Sequence, residues 1–188
     1  VGLGIVIGGQ LHRGRLGGAG EFGHLPIEPD GPVCECGRRG CLEALVADAA
    51  LVARARAVGV IDDGDGPDEL VSQADAGNAL ARQILAAAGT RLGVAVAGLV
   101  NVLAPELVIV SGEGMRARAH LEGTLRSALA DHVFPPLTGV ELLIDPWEDT
   151  KWARGAAALV LETFFSAGRQ DGTTTRAVDL AGFVAEAV

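Results

Sequence analysis

Apolar and polar positions follow one another along this chain in patterns that predict its elements in order. The opening residues "VGLGIVIGGQLHRG" read as two short strands joined at Gly8-Gly9, a hairpin signal. Gly14 to Gly23 is too rich in glycine for a regular element and reads as loop. After a second loop crowded with Gly and Pro, "CLEALVADAALVARARAVG" has helical periodicity and stops at Gly59, a natural residue just past a helix end. "DDGDGPD" is a polar turn in which Pro67 can open a helix, and "ELVSQADAG" reads as that short helix. "NALARQILAAAGTRLGVAVAGLVNVLAP" predicts a long, mostly buried helix that halts before Pro105. "ELVIVSGEG" predicts a buried strand running into a turn, "RAHLEGTLRSALADHVF" a helix, and "GVELLID" a strand. "DTKWARGAAALVLETFF" predicts a last helix N-capped by Asp149 or Thr150. Residues 167–188 turn polar and then briefly apolar, which predicts a flexible link and a weakly held terminal helix. This order predicts an α/β fold, with strand direction left open by spacing alone.

Composition sharpens that picture. The 188 residues suffice for one domain with its own core. Apolar residues make up 49%, yet aromatics are 4% and Tyr is absent, so the core must be built from Ala, Val, Leu and Ile. The stretch from Ile84 to Leu103 is interrupted by Arg91, several glycines and Asn101, and reads as a buried helix rather than a membrane span of about 20 apolar residues. A net charge of −9 with scattered basic residues argues against this segment gripping nucleic acid. No secretory pattern stands at Val1, and an odd number of tightly spaced cysteines is no disulfide framework, so a reducing cytoplasm is expected. The first residues read as the middle of a strand, and further sequence is expected upstream of Val1.

The candidate chemistry lies in "GGAGEFGHLPIEPDGPVCECGRRGCLEAL", residues 17–45. All three cysteines, Cys34, Cys36 and Cys41, fall within eight residues, and His24 precedes the first by ten. One imidazole and three thiols make a closed tetrahedral zinc set, with Gly37 and Gly40 available for the turns. Zinc would order a loop that has almost no core of its own. The bland alternative is three buried or free thiols in an ordinary loop. No Cys/His/Asn pattern supports a catalytic cysteine. Glu21 and Glu43 bracket the cluster. Ionised carboxylates there could accept from the hydroxyls of a polyol. Equally, Glu43 could sit at a helix N-terminus, where its charge is favoured, and Glu21 could be a solvated loop acid.

Ala19, Gly20, Glu21, Gly23, His24, Cys34, Cys36, Gly37, Gly40, Cys41 and Glu43 together fill a pattern that resembles the signature of the ROK family of repressors, open reading frames and sugar kinases. "NVLAPELVIVSGEG" and "WARGAAALVL" are also similar to passages of that family, and the resemblance covers about residues 1 to 165. It implies a ribonuclease H-like, actin-like ATPase fold of sugar-kinase type, with residues 1–166 forming mainly the C-terminal lobe and the zinc loop spanning 24–43. It implies structural zinc on His24, Cys34, Cys36 and Cys41, and sugar hydroxyls on Glu21, His24 and Glu43, with His24 serving both. It also implies a homodimer or homotetramer.

The same resemblance divides between kinases and sugar-responsive repressors. The family's catalytic Asp belongs to an Asn-Asp pair upstream of the position matching Gly2, so it is not on this chain. Where kinases of the family carry Gly-Thr-Gly, this chain has Gly2-Leu3-Gly4, followed by Val6 where another glycine is usual. "SGEG", with Gly112 and Gly114, has Ser111 where kinases usually show Gly. These read as remnant nucleotide loops, and Trp147 and Trp152 read as lobe packing. The resemblance therefore points to the effector domain of a repressor, whose DNA contacts would lie in an upstream module. The alternatives are an N-terminally truncated, ATP-dependent sugar kinase of glucokinase or N-acetylmannosamine kinase type, and a zinc-stabilised structural or dimerisation module.

Overall fold

The computed structural model describes residues 1–146, 148 and 150–166, with side chains described to 161. The readings made for Trp147, Asp149 and residues 167–188 lie outside the described residues. The chain divides into two compact units. One is Val1 with Phe22–Glu148, and the other is Gly2–Glu21 with the residues from 149 onward.

In the second unit, strands β1 (Val6–Ile7) and β2 (Gln10–Leu11) pair antiparallel, Val6 opposite Leu11. The turn between them needs positive φ at both Gly8 (58°) and Gly9 (75°), which only glycine adopts without strain. Helix α6 (Thr150–Ser166) completes this unit. Thr150 is its first helical residue, and Trp152 is 73% exposed.

The first unit is built on helices. The segment read as one helix from Cys41 is two: α1 (Glu43–Val46) and α2 (Asp48–Ala57), separated by Ala47 with ψ at 149°. No proline or glycine marks this break. Asp48, the residue after it, is held by Arg116 at 2.6 Å, a partner distant in sequence. Helix α2 ends as expected: Gly59 takes φ of 70°, and the Val60 N–H reaches back to the Ala55 carbonyl at 2.9 Å. Helix α3 (Pro67–Asp75) starts on its proline. Helix α4 (Ala79–Leu103) starts on Asn78, whose side chain accepts from the N–H groups of Leu80 and Ala81.

Long and apolar, α4 is the core helix. Ile84, Leu85 and Ala88 pack with Leu51 and Val52 of α2, Leu70 of α3, and Leu121 and Leu125 of α5 (Arg118–His132). Each such leucine, when fully buried, contributes about 1.5–3 kcal/mol. The α4 and α5 backbones touch at Gly89 and Gly93. A Cβ at Gly89 would overlap the Leu121 carbonyl, and one at Gly93 would overlap the Leu125 carbonyl and lie 2.8 Å from the Ala128 Cβ. The Thr124 hydroxyl donates across the pair to the Ala86 carbonyl at 2.8 Å. Asn101 donates to the His132 carbonyl (3.0 Å) and accepts from the Phe134 N–H (2.7 Å), closing the end of α5.

Helix α5 is also the crossover between strands β3 (Leu107–Val110) and β4 (Glu141–Ile144), which pair parallel with Val108 opposite Leu142. Both strands therefore end at the same edge, where the Ser111 hydroxyl donates to Asp145 at 3.3 Å. The expectation of a buried β3 holds only in part. Its residues are half-buried and Ile109 is 50% exposed, because successive residues of a strand face opposite sides.

The glycines of α4 give opposite predictions. Gly93→Ala is expected to lower stability by about 1–3 kcal/mol through overpacking. Gly98 has open space where a Cβ would stand, and Gly98→Ala is expected to raise stability by about 0.5–1 kcal/mol through helix propensity. Urea unfolding reads both, and a Gly93→Ala protein as stable as its parent would overturn the close-contact account.

Candidate metal centre

The loop between the glycine-rich segment and α1 is held by backbone bonds that its glycines permit. The Ile27 and Glu28 N–H groups both donate to the Gly40 carbonyl, at 2.8 and 3.1 Å. Gly40 has φ of 68°, and a Cβ on it would overlap the Glu28 carbonyl, so glycine is required twice over. The Cys34 N–H donates to the Arg38 carbonyl at 2.7 Å and the Gly37 N–H to the Cys34 carbonyl at 2.9 Å, which turns the chain tightly between Cys34 and Cys36. Bridges Pro26–Cys41 and Val33–Arg39 close the loop on itself. An ion pair ties it to the helical core: Arg91 of α4 meets Glu28 at 2.6 Å.

These restraints bring His24, Cys34, Cys36 and Cys41 together, with their ligand atoms all within 4.8 Å of one another. His24 Nδ1 lies 3.6 Å from Cys34 Sγ, and Cys36 Sγ lies 3.7 Å from Cys41 Sγ. An ion bound tetrahedrally at about 2.3 Å from sulfur and about 2.0 Å from nitrogen has S···N edges of about 3.5 Å and S···S edges of about 3.8 Å. The His24–Cys34 and Cys36–Cys41 separations lie close to those edges, and the whole set stays within 4.8 Å. Cys34 and Cys41 are buried and Cys36 is exposed, and none of the three forms a disulfide. The donor set could therefore hold a metal ion.

The electrostatics fit the same conclusion. The Arg38 backbone N–H, opposed by burial and aided by Cys41, Cys34 and His24, draws the Cys36 thiol down to about 7. Burial, then the neighbouring Cys36 and Cys34, pushes the Cys41 thiol up to about 11. Thiolates this close repel one another, and a cation among them removes that penalty.

The remaining candidates divide between the units. Glu43 is in the first turn of α1, directly after Cys41-Leu42, and pairs with the Val1 amino group. Its Oε2 would stand 2.6 Å from a Cβ on Gly23, so the glycine before His24 leaves room for this carboxylate. His24 and Glu43 share one unit, and Glu21 ends the Gly2–Glu21 segment of the other. Gly2 and Gly4 lie in that second unit, where the Leu3 N–H donates to the Gly20 carbonyl at 3.1 Å. Gly112, with φ of 118°, and Gly114 form the turn after β3. Arg116 follows and joins Asp48 (2.6 Å) to Asp68 (3.2 Å). The sequence reading missed the Glu28–Arg91 pair. Its signal is a charged residue set alone in the apolar part of α4.

The fold and centre define a mixed α/β protein with a histidine–cysteine loop set before a helical core. Residues 1–163 match the model of the ROK family, and the chain belongs to that family. The glucokinase of Thermotoga maritima is 35% identical over 176 residues, covering 86% of this chain and 55% of the glucokinase. The xylose repressor of Bacillus spizizenii is 27% identical over 165 residues, covering 87% of this chain and 42% of the repressor. The crystal structure of a ROK hexokinase from Thermus thermophilus matches with a TM-score of 0.68 at 31% identity, over 75% of this chain and 47% of the hexokinase. Kinases and repressors thus both stand among its relatives, and the chain spans about half the length of the curated relatives it matches.

Stoichiometric metal uptake is the direct check on the centre. Cobalt(II) is expected to bind at one equivalent per chain and give the visible absorption of a tetrahedral thiolate site, and Cys34→Ser is expected to abolish it. A featureless spectrum from the parent protein would rule the centre out.

Proposed function

We propose that this chain is the C-terminal, actin-like lobe of the sugar-sensing domain of a ROK-family transcriptional repressor. In this reading His24, Cys34, Cys36 and Cys41 hold a structural zinc ion, which supplies no chemistry beyond fixing the loop. Glu21, His24 and Glu43 accept from or donate to the hydroxyls of a sugar or sugar derivative. Nδ1 of His24 lies 3.6 Å from Cys34 Sγ, so in this reading Nε2 is the ring nitrogen that would meet a sugar hydroxyl. Zinc loss and sugar loss are then one event. An upstream DNA-binding module, in a homodimeric or homotetrameric cytoplasmic protein, would read the operator. The sugar would shift operator affinity by its difference in affinity between two states.

The observation that carries this reading over a kinase is the state of the Gly2-Leu3-Gly4 segment. Leu3 offers no hydroxyl, and its N–H is already committed to Gly20. A phosphate cradle needs such groups open to the ligand. The Ser111 hydroxyl, at the other remnant loop, is likewise bonded to Asp145. The second reading, a sugar kinase whose catalytic Asp lies upstream, is favoured by the 35% identity to the Thermotoga maritima glucokinase.

Two measurements test the proposal. Cys36→Ser is expected to release zinc and abolish sugar binding together, read by metal analysis and calorimetry. Unchanged sugar affinity in the zinc-free variant would sink the coupling. In the whole encoded product, sugar is expected to change operator binding, with no phosphoryl transfer from ATP to hexoses. Turnover of ATP on a hexose would establish the kinase reading instead.

A further inference from the structure

Arg91 has no part in the proposed function. Between Arg82 and the end of α4 it is the one charged residue, and its side chain is 19% exposed. A guanidinium largely removed from water on a core helix is unfavourable unless a partner compensates it. That partner is 63 residues away: Arg91 Nε donates to Glu28 Oε1 at 2.6 Å.

Glu28 is not one of the four clustered ligands, yet it touches the part of the loop that presents one. Its N–H donates to the Gly40 carbonyl at 3.1 Å, and its own carbonyl accepts from the Gly31 N–H at 2.7 Å. That carbonyl also occupies the space a Cβ would need on Gly40. Gly40 is bonded directly to Cys41, which is 1% exposed and 3.7 Å from Cys36 through sulfur. A continuous path therefore runs from α4 through Arg91, Glu28 and Gly40 to Cys41. The loop's other restraints given above are backbone bonds within itself.

The geometry points to Arg91 as a positioning residue for the metal loop. Through Glu28 it fixes the Gly40–Cys41 corner of the tetrahedron against α4 and so sets how long the ion is retained. This inference rests on the zinc reading above. An ion leaves a closed site only when a ligand swings away, and a ligand held by its surroundings swings away less often. Arginine suits the task because its planar donor group keeps a fixed direction that a lysine ammonium lacks.

The test is zinc release from the loaded protein to the chromophoric chelator 4-(2-pyridylazo)resorcinol. Arg91→Met is expected to release zinc about tenfold faster than the parent, the lower end of the effect of outer-shell partners. Arg91→Lys is expected to fall between them. Glu28→Gln, which alters the more exposed partner, is expected to match Arg91→Met, and the double variant to be no faster than either single one. Hydrogen exchange should quicken at the amides of Ile27, Glu28 and Gly31 and stay unchanged across α4 and α5. Release from Arg91→Met at the parent rate overturns the inference, as does equal loosening of loop and helices. If the parent takes up no zinc, the metal reading fails and this inference with it. If parent and Arg91→Met hold zinc equally well, this inference alone fails.

Discussion

Everything in the larger unit is arranged around the place where α4 and α5 touch backbone to backbone. Gly89 and Gly93 leave no room for a side chain beneath Leu121 and Leu125, so the two helices approach more closely than apolar side chains would allow. The consequences run outward from this contact. The Thr124 hydroxyl reaches the α4 backbone, Asn101 closes the far end of α5, and β4 is delivered parallel to β3. The rest of α4 remains available to carry α2 and α3 on one side and, through Arg91, the histidine–cysteine loop.

That loop is a different kind of structure. Its stability comes from backbone bonds around Gly40, an ion pair to α4, and a donor set whose spacing suits a tetrahedral ion. A segment with so little apolar surface cannot offset the entropy of its own ordering by burial. A metal ion held by the four donors would supply free energy on that scale. In the proposed reading metal and sugar would share this loop, because His24 belongs to the donor set and Glu43 follows Cys41-Leu42 at the start of α1.

Membership of the ROK family leaves two activities open, and the choice rests on small atomic differences. A kinase needs open amides and hydroxyls to receive phosphates. In this chain the Leu3 amide and the Ser111 hydroxyl each have a partner inside the protein. A sensor needs only a site whose occupancy alters a structural balance. Just past the break at Ala47, the first residue of α2, Asp48, is held by Arg116 of the turn after β3.

Much of this was legible in the sequence wherever the cause was local. Pro67, Asn78, Gly59 and the Gly8-Gly9 pair mark their own helix and hairpin ends, because caps and turns depend on residues a few positions apart. The histidine and three cysteines announced a shared site for the same reason, as their ligating atoms belong to one short loop. Other features depend on partners far along the chain. The break at Ala47, the half-exposed face of β3, the parallel pairing of β3 with β4, and the glycine contact between α4 and α5 carry no local mark. Arg91 is the clearest case. In the sequence it merely interrupts an apolar run, and only folding brings it to Glu28, 63 residues away, where a half-buried charge finds a partner.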